Sequence, residues 1–335
     1  MPTTVLGGGF SAMSRTVAIA GAGSIGVAFA VLFASAGFSV RVWDALPEAF
    51  DRARDDLSDR LALLNEHGLI SEPVDDVSQR VSFHEILFDA LRGAELVQEC
   101  VPERLDIKRE VFQQLGAYSE TYAVLASSSS AIVSSEFASA TPARERVLIA
   151  HPGNPPYLIP VIELVPSEYT ARETVERATE IYHAAGLKPV LVRKEIEGFL
   201  FNRLQGAVLR EAYCLVRDGV ASVEDIDEVM RSGLGRRWSV IGPFETVDLN
   251  TRGGIESHAA KMGPAYERMG SSRGQADPWT PDLIQVVTAQ RRSILPLDEW
   301  ASRVRWRDEA LMRLKTHFED VPEVRRPAPK VPFRL

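Results

Sequence analysis

The chain has 335 residues, of which 45% are hydrophobic and 25% charged, and its formal net charge is −8. This length predicts about two domains, and the composition is ordinary for a soluble globular protein. The negative charge, with no basic block, argues against a nucleic-acid partner. No apolar run reaches the roughly 18 residues of a membrane span, so no membrane partner is expected. The cysteines, Cys100 and Cys214, match no metal-ligand spacing and predict buried, reduced thiols in a cytoplasmic protein.

The first elements along the chain are a strand, a glycine-rich turn and a helix. Residues 16–20 form an apolar run that leads directly into Gly21, Gly23 and Gly26, and the following strand ends at Asp44. In this context the first glycine allows a tight turn, the second lets the backbone approach a pyrophosphate, and the third lets the helix pack closely. The N-terminus of the helix supplies free N–H groups for phosphates. Asp44 can accept hydrogen bonds from the adenosine ribose and would repel a 2′-phosphate, which favours NAD over NADP.

Strands and helices alternate as far as about residue 192. Glu103 and Lys108 follow one strand end, and another strand ends in four serines, the last of which is Ser130. Ligands of open α/β sheets bind outside the carboxyl ends of the strands, so these side chains predict contacts in a cofactor cleft. The alternatives are solvated charges and a serine-rich turn. The predicted elements are helices at 47–66 and 171–185 and strands at 80–83, 95–101, 123–126 and 188–192.

Residues 147–165 contain two apolar runs separated by a proline-rich turn. The first run ends at His151, and the second carries a single charge, Glu163. Short strands joined by a rigid turn bring their ends together, and a carboxylate in an apolar run is costly unless it has a partner. His151 is the nearest partner, and the pair has the form of a general base oriented by a carboxylate. The alternative is a histidine that caps a strand and a glutamate that faces water.

The pattern becomes helical from Gly198 onward. A helix is predicted from Gly198 to residue 217, and Asn202 on its apolar first turn is expected to face a cleft or a partner. Ser222 is a plausible N-cap for a helix at 223–230, and Asp225 completes a near capping box. The fold predicted is α/β, a Rossmann-like doubly wound sheet followed by an all-α C-terminal domain. Its parts are a disordered leader at 1–14, which lacks signal-peptide features, and an NAD-binding Rossmann domain at 15–194. A helical substrate and dimerisation domain follows at 195–320, with its last helix at 297–318, and then a loose tail at 321–335.

Several separated motifs resemble the 3-hydroxyacyl-CoA dehydrogenase superfamily, and within it most closely the λ-crystallin branch of L-gulonate 3-dehydrogenases. They occur in the same order between about residues 17 and 314. The motif RWRDEALMRL at 305–314 is similar to the end of the λ-crystallins, whereas acyl-CoA enzymes usually stop short of it. The others are GAGSIG at 21–26, QECVPERLDIK at 98–108, ASSSS at 126–130, HPGNPPYLIPVIELV at 151–165, GFLFNRLQ at 198–205 and GLGRRWSVIGPFETVDLN at 233–250.

The resemblance implies a role for each matching residue. His151 would match the catalytic base, Glu163 its partner, Ser130 the serine that hydrogen-bonds the reacting oxygen, and Asn202 the active-site asparagine. Arg237 is a candidate for binding a substrate carboxylate through two hydrogen bonds, the alternative being a surface arginine or a dimer salt bridge. The second domain of the family is helical and forms a homodimer. The implied cofactor positions are Gly21, Gly23, Ser24, Ile25, Gly26, Asp44, Glu103 and Lys108.

The implied activity is the NAD-dependent oxidation of the 3-hydroxyl of a small hydroxy acid, such as L-gulonate, to the 3-keto acid. A 3-hydroxyacyl-CoA (3-hydroxybutyryl-CoA) dehydrogenase, a carnitine-type dehydrogenase and a non-enzymatic, crystallin-like NAD-binding protein are the alternatives. The complete set of predicted catalytic residues argues against the last. Relatives that hold coenzyme A tend to have a helix rich in lysine and serine after the second strand. Here that helix carries Asp51, Asp55, Asp56 and Asp59, which would repel a nucleotide phosphate, although Arg52, Arg54 and Arg60 keep a CoA ester open.

Overall fold

The computed structural model describes residues 15–239, 241–251, 254–273 and 296–319, together with positions 282, 289 and 293. The described residues form two compact units. One comprises the residues up to Phe201 and those from Arg305 onward, and the other runs from Asn202 to Val304. The predicted leader at 1–14 and tail at 321–335 lie outside the described residues. In the described part of the chain, no helix is both long and apolar enough to cross a membrane.

The first unit is built on a twisted β-sheet whose strands are β1 (Thr16–Ala20), β2 (Ser39–Trp43), β3 (Val81–His84), β4 (Leu96–Glu99), β5 (Val124–Ser127), β6 (Val147–Pro152), β7 (Val161–Pro166) and β8 (Lys188–Leu191). Their order is β3-β2-β1-β4-β5-β6-β7-β8. All neighbours pair in parallel except β6 and β7, which are antiparallel. The order reverses between β1 and β4, which is where ligands bind in open α/β sheets. The predicted Rossmann-like α/β sheet is therefore confirmed.

Helices cover both faces of this sheet. They are α1 (Ser24–Ser35), α2 (Ala49–Glu66), α3 (Val74–Ser78), α4 (Leu87–Leu91), α5 (Leu105–Tyr118), α6 (Ser134–Ala138) and α7 (Arg172–Ala184). Strand β1 shows why two layers are needed. Its side chains alternate, so Val17 and Ile19 join a core with α1, whereas Ala18 and Ala20 join a core with Phe112 of α5. Both faces of the sheet are thus buried, as expected for parallel strands.

Every described element of the second unit that lies before residue 282 is helical. These are α8 (Phe201–Arg217), α9 (Val223–Glu228), a π-helical turn at Val229–Leu234, α10 (Gly235–Trp238), α11 (Pro243–Asn250) and α12 (Gly254–Ser271). The predicted capping box is present, because Ser222 Oγ accepts from the Asp225 N–H at 3.1 Å and Asp225 Oδ2 accepts from the Ser222 N–H at 3.4 Å. The predicted helical second domain is confirmed for these residues. Cys214 is buried, Cys100 is half-buried, and neither cysteine forms a disulfide.

The first unit extends to Phe201 and the second begins at Asn202, whereas the sequence predicts a helical domain from residue 195 onward. Helix α8 begins three residues later than expected, because Gly198 and Phe199 have φ angles of 75° and 49°, which a right-handed helix does not use. The last helix, α13 (Trp300–Glu319), groups with the first unit from Arg305 onward. The reason is local packing: Met312 is buried in the core of the first unit, and Lys315 Nζ donates to the Tyr157 carbonyl at 2.8 Å.

Candidate active site

A histidine and a glutamate face each other on the antiparallel pair formed by β6 and β7. The register places His151 directly opposite Glu163, and directly opposite residues project to the same face of a sheet. Nδ1 of His151 lies 2.7 Å from Oε2 of Glu163, and the residues are 7% and 3% exposed. The contact expected from the sequence is therefore present, whereas the catalytic role of the pair stays a prediction.

The second oxygen of Glu163 has its own partners. Oε1 accepts from the backbone N–H groups of Leu200 at 2.7 Å and Phe201 at 2.9 Å, at the start of α8. The N-terminus of a helix is a favourable place for a negative charge. An ionised carboxylate only accepts hydrogen bonds, so a neutral His151 imidazole carries its proton on Nδ1 and keeps an unprotonated Nε2. That arrangement is the one a general base needs.

Aromatic side chains surround the imidazole of His151. The ring centroid of Phe199 lies 5.5 Å from it and that of Phe201 lies 6.3 Å from it. Phe199 is fully buried and is a non-glycine residue with positive φ, a conformation that costs on the order of 1–3 kcal/mol and is often found at functional sites. The sequence did not predict the position of Phe199 beside the imidazole, and the only local indication of its unusual backbone is the preceding Gly198.

The glycine turn after β1 has two glycines that the fold itself requires and one that it does not. A Cβ on Gly21, whose φ is +121°, would lie 2.7 Å from the Cys100 carbonyl oxygen, and one on Gly26 would lie 1.9 Å from the Gly21 carbonyl oxygen. At Gly23 nothing lies within 4 Å. Gly23 also precedes α1 without any side-chain cap on the helix N-terminus. Open space before uncapped N–H groups fits the pyrophosphate of a dinucleotide.

Asp44 follows β2 and is bound to the glycine turn. Its Oδ2 accepts from the Ala22 N–H at 2.7 Å and its Oδ1 from the Leu46 N–H at 2.9 Å. Each carboxylate oxygen has about two acceptor sites, so both can still accept a ribose hydroxyl. The carboxylate therefore lies beside the glycine turn, which is where an acid must lie to bind the adenosine ribose of NAD.

An arginine not expected in this region approaches the same turn from α2. Arg60 Nη2 donates to Ser24 Oγ at 2.9 Å and Nη1 donates to the Ser24 carbonyl at 3.1 Å. The Ser24 hydroxyl hydrogen thus remains available to donate to a phosphate oxygen. Ser24 and the half-buried Ile25 are the first residues of α1. The sequence singled out Arg60 only as one of three arginines on this helix that keep a CoA ester open, and it did not predict the contact with Ser24.

The serine loop, residues 128–132, follows β5 and is held by Glu103. Glu103 Oε1 accepts from Ser129 Oγ at 2.5 Å and from the N–H groups of Ser130 and Ala131 at 3.1 Å each. Burial raises the pKa of Glu103, but the Ser129 hydroxyl, the Lys108 charge and the loop N–H groups outweigh it, so the pKa is lowered overall. Ser130 itself is exposed at the tip of this loop.

Lys108 and Glu99 form a buried ion pair behind this loop. Lys108 Nζ lies 3.0 Å from both carboxylate oxygens of Glu99 and 3.3 Å from Oε2 of Glu103. Burial raises the pKa of Glu99, and the Lys108 ammonium opposes that shift. Lys108 is 1% exposed and lies between these carboxylates, so it supports Glu103, while its predicted contact with the cofactor stays a prediction. Glu99 was missed, although it is an acid in an apolar strand, the same signal that singled out Glu163.

Two predicted site residues belong to the second unit. Asn202 is the second residue of α8 and is half-buried. Arg237 is exposed on α10, directly after the π-helical turn, and no ion pair joins it to another residue of the described chain. The first unit brings together His151 with Glu163, Asp44 with the glycine turn, and Glu103 with Lys108 and the Ser130 backbone. The roles of Asn202 and Arg237 stay predictions.

Known proteins match both parts of this chain. Residues 16–196 match the NAD-binding domain of 3-hydroxyacyl-CoA dehydrogenase and residues 198–293 its C-terminal domain. The chain is 38% identical to the λ-crystallin homolog of Bos taurus over 311 residues, which are 92% of this chain and 97% of that protein. It is 34% identical to L-carnitine dehydrogenase of a Pseudomonas species over 313 residues, which are 89% and 92% of the two chains.

The solved structure of 5-formyl-3-hydroxy-2-methylpyridine 4-carboxylic acid 5-dehydrogenase, an NAD+ dependent dismutase, is also similar. It covers 92% of this chain and 100% of its own, with 29% identity and a TM-score of 0.78. Together with the glycine turn and Asp44, these matches confirm NAD as the cofactor and identify an NAD-dependent dehydrogenase that acts on CH–OH donors. The chain therefore belongs to the 3-hydroxyacyl-CoA dehydrogenase family.

Proposed function

We propose that this dehydrogenase oxidises the 3-hydroxyl of a small hydroxy acid similar to L-gulonate to the 3-keto acid. The observation that carries the proposal is the 2.7 Å contact between His151 Nδ1 and Glu163 Oε2. It keeps the imidazole in the tautomer whose Nε2 accepts a proton. The 38% identity to a λ-crystallin homolog, and the match between the last helix and the λ-crystallin ending, support a free acid as substrate.

The residues have distinct tasks in this proposal. His151 takes the hydroxyl proton at Nε2, and Glu163 stabilises the imidazolium that forms. Ser130 and Asn202 donate hydrogen bonds to the substrate oxygen as it becomes a carbonyl. Phe199 packs against the imidazole and keeps water from its buried side. NAD, when bound, accepts the hydride from the carbinol carbon.

Arg237 is proposed to bind the substrate carboxylate through two parallel hydrogen bonds. It is exposed, and it follows a π-helical turn, a feature often found at functional sites. Arg237→Ala should raise the KM for the acid at least about tenfold, which corresponds to about 1.4 kcal/mol of binding. Arg236→Ala, one residue away and also exposed, is the matched control. An unchanged KM in Arg237→Ala would remove this assignment.

An acyl-CoA substrate is the main alternative, and one observation favours it. The carboxylates of Asp51 and Asp56 are engaged by Arg54 at 2.9 Å and Arg60 at 2.7 Å, so the negative charge expected on α2 is partly neutralised. A carnitine-type activity is supported by the 34% identity to L-carnitine dehydrogenase. Carnitine has both a 3-hydroxyl and a carboxylate, so the same base and the same arginine would serve it.

A homodimer formed through the helical unit is part of the proposal. Large apolar side chains in that unit are exposed, among them Leu204, Val229, Phe244 and Leu249. Scattered apolar side chains are normal on a surface, but several large ones on one small unit support a partner there. Light scattering on the purified chain measures the mass directly. A monomer at micromolar concentration would remove this part of the proposal.

The decisive experiment measures NADH formation with L-gulonate, L-carnitine, 3-hydroxybutyrate and 3-hydroxybutyryl-CoA, with NAD and NADP side by side. The highest kcat/KM is expected for a free hydroxy acid with NAD. A higher kcat/KM for the CoA ester would select the acyl-CoA alternative. No turnover with any of the four substrates would favour the non-enzymatic, crystallin-like NAD-binding protein. His151→Gln should lower kcat by about 10²–10⁴ while NADH binding persists. His183→Gln, an exposed histidine on α7, is the control, and unchanged turnover in His151→Gln would refute the assignment.

A further inference from the structure

We propose that Glu99 and Lys108 are a buried positioning pair that sets the geometry of the serine loop. The inference rests on the proposed function, because Ser130 of this loop is the proposed hydrogen-bond donor to the substrate oxygen. Glu99 is 0% exposed and Lys108 is 1% exposed, so neither can touch substrate. Both act through groups that they hold.

The carboxylate of Glu99 has a complete set of partners. It accepts from Lys108 Nζ at 3.0 Å on both oxygens, from the Val101 N–H at 2.7 Å and from Ser127 Oγ at 2.5 Å. Glu99 ends β4 and Ser127 ends β5, while Lys108 reaches them from α5. Three elements are thus joined at the carboxyl edge of the sheet, beside the point where the strand order reverses.

The ammonium of Lys108 lies between two carboxylates. Besides Glu99, it contacts Oε2 of the partly exposed Glu103 at 3.3 Å. That contact occupies one oxygen of Glu103 and turns the other, Oε1, toward the serine loop. Because Glu99 fixes the ammonium and the ammonium fixes Glu103, the position of Oε1 depends on a side chain that is itself fully buried.

Hydrogen bonds to the carboxylates of Glu99 and Glu103 hold the serine loop in place. Glu103 Oε1 accepts from Ser129 Oγ and from the N–H groups of Ser130, Ala131 and Ile132, the last at 3.4 Å. Ser127 Oγ, which donates to Glu99, also accepts from the Ser129 N–H at 3.2 Å. The backbone that carries the Ser130 hydroxyl is therefore held at several consecutive residues.

A buried ion pair is weak evidence for stability, since apolar residues of similar size often stabilise a fold equally well. What apolar residues cannot do is direct a carboxylate oxygen at a row of N–H groups. Hydrogen-bond donors for a developing charge act best when they are held in place beforehand, and a displacement of about 1 Å can lower a rate 10²-fold. The pair is thus expected to affect the chemical step more than the binding of substrate.

The test uses three variants: Glu99→Gln, Lys108→Met and the double variant that combines these two. The control is Arg104→Met, which breaks an exposed ion pair with Asp106 of α5. Amide hydrogen exchange of residues 130–132 should be at least about tenfold faster in Glu99→Gln and Lys108→Met, and unchanged in Arg104→Met. The kcat should fall by about 10–10² in both, with the KM of the hydroxy acid within about threefold. In a Ser130→Ala background, Glu99→Gln should lower kcat by less than about twofold, because the group it positions is gone.

Unchanged exchange in a folded Glu99→Gln variant would overturn the proposal, as would an equal loss of kcat with and without Ser130. If Glu99→Gln does not fold, the double variant, which leaves no unpaired charge between the two positions, carries the same expectations. The exchange measurement needs no turnover. If the chain oxidises none of the substrates, the proposed function fails, while faster exchange still supports the positioning pair and unchanged exchange still overturns it.

Discussion

Replacing Glu163 by glutamine separates two roles of this side chain, the orientation of the His151 imidazole and the binding of the backbone N–H groups at the start of α8. A glutamine carbonyl can still accept from the Leu200 and Phe201 N–H groups, as Oε1 does now. Its amide NH2 then takes the position of Oε2, 2.7 Å from Nδ1 of His151. Because the amide donates, Nδ1 must accept, and the single proton of the neutral imidazole moves to Nε2. The nitrogen that should accept the substrate proton is then already protonated.

The expected magnitudes follow from these contacts. Loss of a positioned general base lowers kcat by about 10²–10⁴. Three hydrogen bonds to a charged group become neutral ones, at about 1 kcal/mol each, so the free energy of unfolding falls by about 3 kcal/mol. For a unit of this size that is a decrease of roughly 6–12 °C in Tm. Glu163→Ala leaves the two backbone N–H groups without an acceptor, at about 1–3 kcal/mol each, and should unfold at a still lower temperature.

The assay combines kcat from NADH formation, NADH binding by fluorescence and Tm by differential scanning fluorimetry. Glu163→Gln should bind NADH within about threefold of the unmodified chain while kcat collapses, since threefold is well under 1 kcal/mol. Glu168→Gln, an exposed glutamate five residues further on, is the control. A Glu163→Gln variant that keeps more than about a tenth of kcat would refute the reasoning, because the carboxylate would then not determine the tautomer.

The remaining predictions concern the cofactor turn, the last helix and pH. Gly23→Ala should leave Tm within about 2 °C and weaken NADH binding about tenfold or more. Gly26→Ala should lower Tm itself, because its Cβ would lie 1.9 Å from the Gly21 carbonyl oxygen. If fluorimetry and NADH titration showed the same effects for both variants, the different roles given to Gly23 and Gly26 would be contradicted. Met312→Ala should lower the free energy of unfolding by about 2–5 kcal/mol in urea, and a change under about 1 kcal/mol would mean that α13 is not part of the core. Folding lowers the pKa of Glu103 below its ordinary 4.5, so its contribution to stability is complete above that pH and is lost as the pH falls through the lowered pKa. The Tm difference between the unmodified chain and Glu103→Gln should therefore shrink between about pH 6 and pH 3, and a constant difference would contradict it.

Contacts between neighbours in the chain were determined by the amino-acid sequence alone. The glycine turn and Asp44 lie at the ends of adjacent strands, so their meeting follows from one strand, one helix and one more strand. His151 and Glu163 lie on two strands joined by a short turn, and a lone carboxylate in an apolar run needs a partner that such a turn can supply. In each case few arrangements of a short segment satisfy its polar groups, and the pattern of residues is enough to select one.

Contacts between distant segments were decided only by the tertiary structure. The place of Lys108 after a strand end is visible in the sequence and predicts a cofactor contact, whereas its enclosure by Glu99 and Glu103 depends on how α5 packs against β4 and β5. The left-handed conformation of Phe199 and the return of α13 to the first unit are equally invisible in a local pattern. Such features arise because burial and charge pairing are satisfied over the whole unit at once, so a residue's partner depends on every element packed around it.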